Sequence, residues 1–169
     1  GKSIAERAYQ QARDYAKERV QGAAGQPVTI INHPDVRRML LTMKATVEAM
    51  RGLIYDVVAS LDVARAHPDP DARSAARSRV DLLTPVVKAW CTDMGVEVAS
   101  LGVQVHGGMG YMEETGAVQH WRDSRIAPIY EGTNGIQAID LVTRKVLRDG
   151  GDTVAHYALE IRTVLSALE

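Results

Sequence analysis

Cysteine is almost missing from this chain: Cys91 is the one thiol in 169 residues. A disulfide framework is therefore excluded. Cys91 sits in an apolar helical run, where a buried reduced thiol in a cytosol-like compartment, and hence a cytoplasmic location, is expected. Net charge is missing as well. Lys and Arg number 20 against 21 Asp and Glu, a formal charge of −1, so there is no electrostatic case for nucleic acid or an anionic membrane as partner. No apolar stretch is long enough to span a bilayer. The five histidines are scattered and no His/Cys pair has ligand spacing, so no metal site is expected. Strand-period segments, internal repeats and low-complexity tracts are absent too. No secretory signal is visible, since Gly1-Lys2-Ser3 leads straight into a charged amphipathic segment. That abrupt start suggests a fragment or an excised domain.

What remains is helix. Hydrophobic residues make up 46%, and the length suits one domain with a substantial core. Ser3 reads as an N-cap, with Glu6 completing a capping box. The first helix is predicted over 4–21, with Tyr9, Ala12, Ala16 and Val20 on one face and Gly22 ending it. A loop follows to Asn32. The second helix is predicted over 34–66, since Pro34 suits the first helical position and Val36, Met39, Leu40, Met43, Val47 and Met50 recur at helical spacing. His67-Pro68-Asp69-Pro70 is a break. The third helix, 71–105, contains Pro85, which should kink it. The glycine turn Gly107-Gly108-Met109-Gly110 follows, then helices over 115–126, 136–146 and 154–168. Long helices joined by short breaks predict an all-α, up-down helical bundle over 1–149, with 150–169 beginning a C-terminal helical extension.

The most informative stretch is Tyr130-Glu131-Gly132-Thr133-Asn134-Gly135-Ile136-Gln137. A carboxylate stands directly before a Gly-Thr-Asn-Gly turn that opens an amphipathic helix. Glycines flanking a polar pair let the backbone approach a ligand and point amides at it. Glu131 has the layout of a base held against a bound cofactor. Its plainer reading is a helix N-terminal carboxylate that complements the dipole.

Four landmarks, in order, make the chain resemble the C-terminal helical domain of the acyl-CoA dehydrogenase family. They are Glu18-Arg19-Val20-Gln21-Gly22, Gln104-Val105-His106-Gly107-Gly108-Met109-Gly110-Tyr111, Trp121-Arg122-Asp123-Ser124-Arg125-Ile126, and Ile129-Tyr130-Glu131-Gly132-Thr133. The resemblance covers about 4–147. Departures are Gln21 in place of the usual Phe, Pro34 after His33, and Asn134-Gly135 in place of the commoner Ser-Gln. The run from Asn32 to Leu40 and the Thr-Asn-Gly turn are similar to the bacterial subgroup of 3-methylmercaptopropionyl-CoA dehydrogenases, whose members carry an extra C-terminal segment.

The resemblance implies α,β-dehydrogenation of an acyl-CoA thioester with FAD, as in fatty-acid β-oxidation. Glu131 would be the base that takes the α-proton while the β-hydrogen leaves as hydride to flavin N5. A carboxylate shut away from water is a stronger base than one in solution. Arg19 matches the arginine that meets the flavin pyrophosphate, typically of a neighbouring subunit, through its bidentate fork. By itself it reads as one more solvated charge. Gln104, Val105, His106, Gly107 and Gly108 would approach the adenosine-diphosphate half, though Gly-Gly also ends many helices and His106 also reads as a core or cap histidine. Thr133, Asn134 and Gly135 would touch the flavin or its ribityl-phosphate arm, with N-capping as a compatible role. Tyr130 and Gly132 would face the substrate. His33 lies in the same cofactor zone, but Pro34 removes an amide donor there. The implied partners are acyl-CoA, an electron acceptor such as electron-transfer flavoprotein, and further copies of the chain in a dimer or tetramer. Two other readings stay open: a non-catalytic oligomerisation domain, and an acyl-CoA oxidase. The methionine pattern of the second helix reads as core or subunit packing, Arg37-Arg38 as an exposed basic pair, and Arg122 as a structural hydrogen-bond donor.

Overall fold

A computed structural model describes residues 1–22 and 27–168. It is all-α. The helices are α1 (Lys2–Glu18), α2 (Pro34–Ala66), α3 (Pro70–His106), α4 (Gly108–Tyr111), α5 (Ala117–Ser124), α6 (Asn134–Asp140) and α7 (Asp152–Ser166). Short 3₁₀ turns occupy Ile30–Asn32, Glu113–Thr115 and Leu147–Asp149, and Leu141–Val146 is π-helical. Two compact units divide the chain: Gly1–Arg51 with Trp90–Tyr130, and Gly52–Ala89 with Glu131–Glu169. Part of α2 and part of α3 lie in each.

The first unit is built on the small-residue face of α1. Ala5, Ala8, Ala12 and Ala16 are all buried, and alanine lets a neighbouring backbone come close. Three helices meet where a β-carbon on Gly102 of α3 would lie 3.5 Å from the Ala8 carbonyl and 3.5 Å from the Met43 methyl. Met39, Leu40, Met43, Val47 and Met50 of α2 are buried, as the methionine pattern predicts, and Cys91, Val98 and Val105 of α3 join them. Burying a Met or Val side chain contributes roughly 1.5–3 kcal/mol, so this row is the main store of apolar stabilisation in the unit. Burial pushes the Cys91 thiol above its ordinary range, which keeps it protonated and unreactive.

Helix starts and stops show where local signals lose to tertiary contacts. The capping box does not form. Gly1 is the N-cap without a side-chain bond, and Ser3 lies inside α1. Glu6 turns instead to Lys2, at 3.4 Å, and to Arg51 of α2. α1 ends at Glu18 rather than Gln21, because the next residues trade helical bonds for a short antiparallel pairing. Val20 pairs with Thr29, Ile30 N–H donates to the Arg19 carbonyl at 2.9 Å, and Gln21 N–H donates to the Val28 carbonyl at 3.0 Å. Val20, expected on the buried face, is 51% exposed as a result. α2 has its predicted bounds, and α3 runs unbroken past Pro85. The predicted helix over 115–126 is shorter, with Gly116 at φ 74° holding Thr115 in a separate turn.

In the second unit the buried apolar residues are few: Ala64, Val80, Leu82 and Leu83. Polar contacts carry more of the fastening. Arg79 of α3 donates to both Asp56 carboxylate oxygens, at 3.0 and 3.1 Å, pairs with Glu160 of α7, and lies 4.7 Å over the Tyr157 ring. Gly150 and Gly151, at φ 69° and 91°, make the turn into α7. Asp149 accepts from Thr153 and Gly151 there, and the Thr153 bonds foremost hold its carboxyl below the usual range.

Arg79→Ala should therefore release α7 locally. The loss in global stability is expected to be modest, about 1 kcal/mol, since the pairs are partly solvated. Hydrogen exchange of 152–166 should rise well before that of 34–51, and unchanged exchange in 152–166 would refute the anchoring role.

Candidate functional site

The first unit holds a cleft of about 770 Å³. It gathers residues from three separate stretches: Arg19 and Gln21 after α1, His33 before α2, and Gln104 to Gly108 at the end of α3. The short pairing after α1 is what puts Arg19 there, in extended backbone at φ −66° and ψ 119°, with its side chain exposed. His33 steadies the same strand through an Nε2 contact of 3.2 Å to the Gln21 carbonyl. Residues 23–26 of the expected loop lie outside the described residues.

At the other wall, α3 stops because Gly107 adopts φ 61° and its N–H donates to the Gln104 carbonyl at 3.0 Å. A side chain at that φ would be strained. The expected open glycine turn is a helical turn instead, α4, tucked so closely that a β-carbon on Gly110 would lie 2.3 Å from the Val103 carbonyl. Gly108 differs: no atom of the chain lies within 4 Å of where its β-carbon would be. Packing accounts for Gly110 and backbone angle for Gly107, whereas Gly108 faces open space. His106 is 5% exposed, with Nδ1 at 2.7 Å from the Gly102 carbonyl and its ring stacked on Tyr15 at 4.4 Å. Its Nδ1–H is committed to the helix, so its role is structural first. Val105 is buried, leaving its backbone to face the cleft.

The second unit holds the turn at Glu131. Glu131 has φ 54° and Gly132 φ 84°, and Glu131 is the one non-glycine residue at positive φ among those described. Holding it there costs roughly 1–2 kcal/mol. Thr133 caps α6 by accepting from Ile136 N–H at 3.4 Å. Lys88 of α3 donates to the Gly132 carbonyl at 2.7 Å and to Asn134 Oδ1 at 2.8 Å, and Asn134 Nδ2 donates to the Ala89 carbonyl at 3.1 Å. Hydrogen bonds from a charged donor are each worth roughly 1.5–3 kcal/mol, enough to offset the strain. Asn134 thus spends its amide on α3. Tyr130, Glu131 and Gly132 are exposed, as are Thr133 and Gly135.

Lys88 went unremarked in the sequence, though it stands as the single charge in the run Leu82-Leu83-Thr84-Pro85-Val86-Val87-Lys88-Ala89-Trp90-Cys91. An isolated cation in such a run needs a partner, and that was the available signal. Ser124 was also missed. It is fully buried and donates to the Trp121 carbonyl at 2.8 Å. Arg122 is structural, as expected, pairing with Glu113 at 2.7 Å. No cluster of metal-ligating side chains occurs among the described residues, and no described helix is long and apolar enough to cross a membrane. A further cavity of about 590 Å³ lies in the second unit beside Arg79 and Tyr157, and none of the motif residues lines it.

Comparison with known proteins adds names to this geometry. The model of the acyl-CoA dehydrogenase C-terminal domain matches residues 2–147. The 3-methylmercaptopropionyl-CoA dehydrogenase of Ruegeria pomeroyi is 55% identical over 94% of the chain and 28% of its own length. The structure of butyryl-CoA dehydrogenase from Megasphaera elsdenii aligns at TM-score 0.63 and 30% identity, over 83% of this chain and 32% of that one. A Caenorhabditis elegans protein, ACDH-11 in complex with C11-CoA, aligns at TM-score 0.73 and 28% identity, over 83% of this chain and 23% of that one. The chain spans about a quarter to a third of the length of these relatives.

The three glycines at the cleft should respond differently to alanine. Gly110→Ala should cost roughly 1–3 kcal/mol through overpacking. Gly107→Ala should also destabilise, whereas Gly108→Ala should leave the melting temperature near wild type. Thermal denaturation of the three variants checks this, and a large loss at Gly108 would show an unseen packing constraint.

Proposed function

This chain belongs to the acyl-CoA dehydrogenase family, and from that membership we propose that it forms the C-terminal helical part of an FAD-dependent enzyme that desaturates an acyl-CoA thioester. The observation that carries the reading is the cleft uniting Arg19 with Gln104–Gly108, stretches more than eighty residues apart in sequence. The donor set suits a flavin dinucleotide. Arg19 offers an exposed guanidinium fork for a pyrophosphate. Gly108 leaves its backbone open to a ligand, with no internal packing reason to be glycine.

In this reading Glu131 is the base. The thioester carbonyl acidifies the α-carbon, and the Glu131 carboxylate takes that proton as the C=C bond forms. Bound FAD supplies the acceptor for the β-hydrogen and its electron pair. Glu131 lies exposed on its turn, so a bound acyl chain can cover it and exclude water. Thr133 and Gly135 present the start of α6 to the cofactor arm, and Tyr130 and Gly132 border the substrate. The acyl group of the Ruegeria relative's name makes a short thioether-bearing acyl-CoA the first substrate to test. Reoxidation by electron-transfer flavoprotein and a cytoplasmic location complete the reading.

Glu131→Gln, made in the whole protein that carries this chain, should slow anaerobic bleaching of the flavin by acyl-CoA by at least ~10²–10⁴-fold, the usual worth of a general base. Flavin content should stay normal. Arg19→Ala and Gly108→Ala should do the reverse, lowering flavin retained after gel filtration while turnover recovers at saturating FAD. Wild-type bleaching by Glu131→Gln would remove the base assignment, and full flavin retention by Arg19→Ala would remove the cleft assignment.

Self-association is the second part of the proposal. Ile136 at 54%, Ile139 at 58% and Leu147 at 68% exposure leave apolar surface on the second unit. A second copy of the chain would cover such surface, as in a dimer or tetramer. Sedimentation of the 169-residue chain at tens of micromolar should show a dimer or larger species, and a clean monomer would refute it.

A further inference from the structure

We propose that Lys88 is a positioning residue for the reaction, fixing the left-handed turn that aims the Glu131 carboxylate. The proposal rests on the reading of Glu131 as base. Glu131 and Gly132 are consecutive at positive φ, 54° and 84°. For glutamate that conformation persists only where its surroundings over-determine it. Within the unit, Lys88 does so from outside the turn. Its ammonium binds the Gly132 carbonyl at 2.7 Å and Asn134 Oδ1 at 2.8 Å, so it grips the peptide directly after Glu131 and the first residue of α6 together. Asn134 returns the tie through the Ala89 carbonyl at 3.1 Å, beside Lys88 on α3.

The turn has little else to hold it. Thr133 caps only the helix that follows, at the long distance of 3.4 Å. Gly132 has no side chain to pack, and an added β-carbon would meet Gln137 Nε2 at 3.2 Å. Backbone rotation at Glu131 would swing its carboxylate while leaving α6 in place. Lys88 therefore acts on the base through the backbone and needs no contact with substrate. α3 is long and rigid, so a lysine on it gives the loop a fixed reference.

The test uses the flavin-loaded whole protein and four forms: Lys88→Met, Lys88→Arg, Glu131→Gln, and the double variant Lys88→Met/Glu131→Gln. Lys88→Met should slow anaerobic flavin bleaching about tenfold or more, at normal flavin content. It should also raise the isotope effect with an α-deuterated acyl-CoA, because proton transfer becomes the slow step. A merely damaged fold would lower the bleached amplitude instead and leave the isotope effect alone. Lys88→Arg keeps charge and donors and should restore most of the rate. The double variant, followed over hours, should be no slower than Glu131→Gln, since a positioning residue has nothing left to position. Amide exchange of 130–137 should rise in Lys88→Met, a readout independent of turnover.

Wild-type bleaching by Lys88→Met overturns the proposal while the base reading stands on Glu131→Gln. Additive loss in the double variant also overturns it, because the lysine would then act elsewhere. Wild-type bleaching by Glu131→Gln overturns both. If Lys88→Met fails to fold, Asn134→Ala removes one partner of the ammonium. It should slow bleaching in the same direction by a smaller factor, and an unchanged rate and isotope effect there overturns the proposal.

Discussion

An ammonium group buried partway into a helix face holds the turn on which the chemistry of this chain rests. Lys88 is one of few charges in its stretch of α3, and its two printed partners lie on the Glu131 turn. Without that tie, a glutamate at φ 54° would relax toward the ordinary right-handed or extended regions, and its carboxylate would leave its station. Strain at Glu131 and compensation from Lys88 belong together. The cost sits in the loop, while the gain comes from a rigid element that the sequence builds for other reasons.

Much of the fold was legible because its punctuation is strong. Pro34 and the His67–Pro70 break bound α2 where they were expected, and the methionine spacing named its buried face. Legibility failed where a tertiary partner outbid a local signal. Glu6 is drawn away from Ser3 by Arg51, and the residues after Glu18 find more in pairing with 28–30 than in another helical turn. No periodicity reports such competition, because the competitor is distant in sequence. The site was legible as motifs, since its glycines and arginine sit at fixed spacings. What motifs did not reveal was division of labour. Gly107 serves backbone angle and Gly110 close packing, while His106 and Asn134 commit polar atoms to α3.

The two units differ in how they are held. The first is a close-packed core in which alanines, methionines and a glycine interlock, so it should resist substitution and open rarely. The second has few buried apolar residues and depends on Arg79 and Lys88. Proposed cofactor residues lie on the apolar framework and the proposed base on the polar one. That division suits a site whose cofactor stays while its substrates come and go.

The π-helical segment Leu141–Val146 carries a consequence for how the sequence tolerates length change. A π turn accommodates an extra residue inside a helix by widening the coil. Removing one residue there would let the segment tighten to the α form, and everything downstream would turn about the axis by roughly 100°. Tyr157 and Glu160 would then no longer meet Arg79, so a single-codon deletion would undock α7 without touching any residue that contacts it.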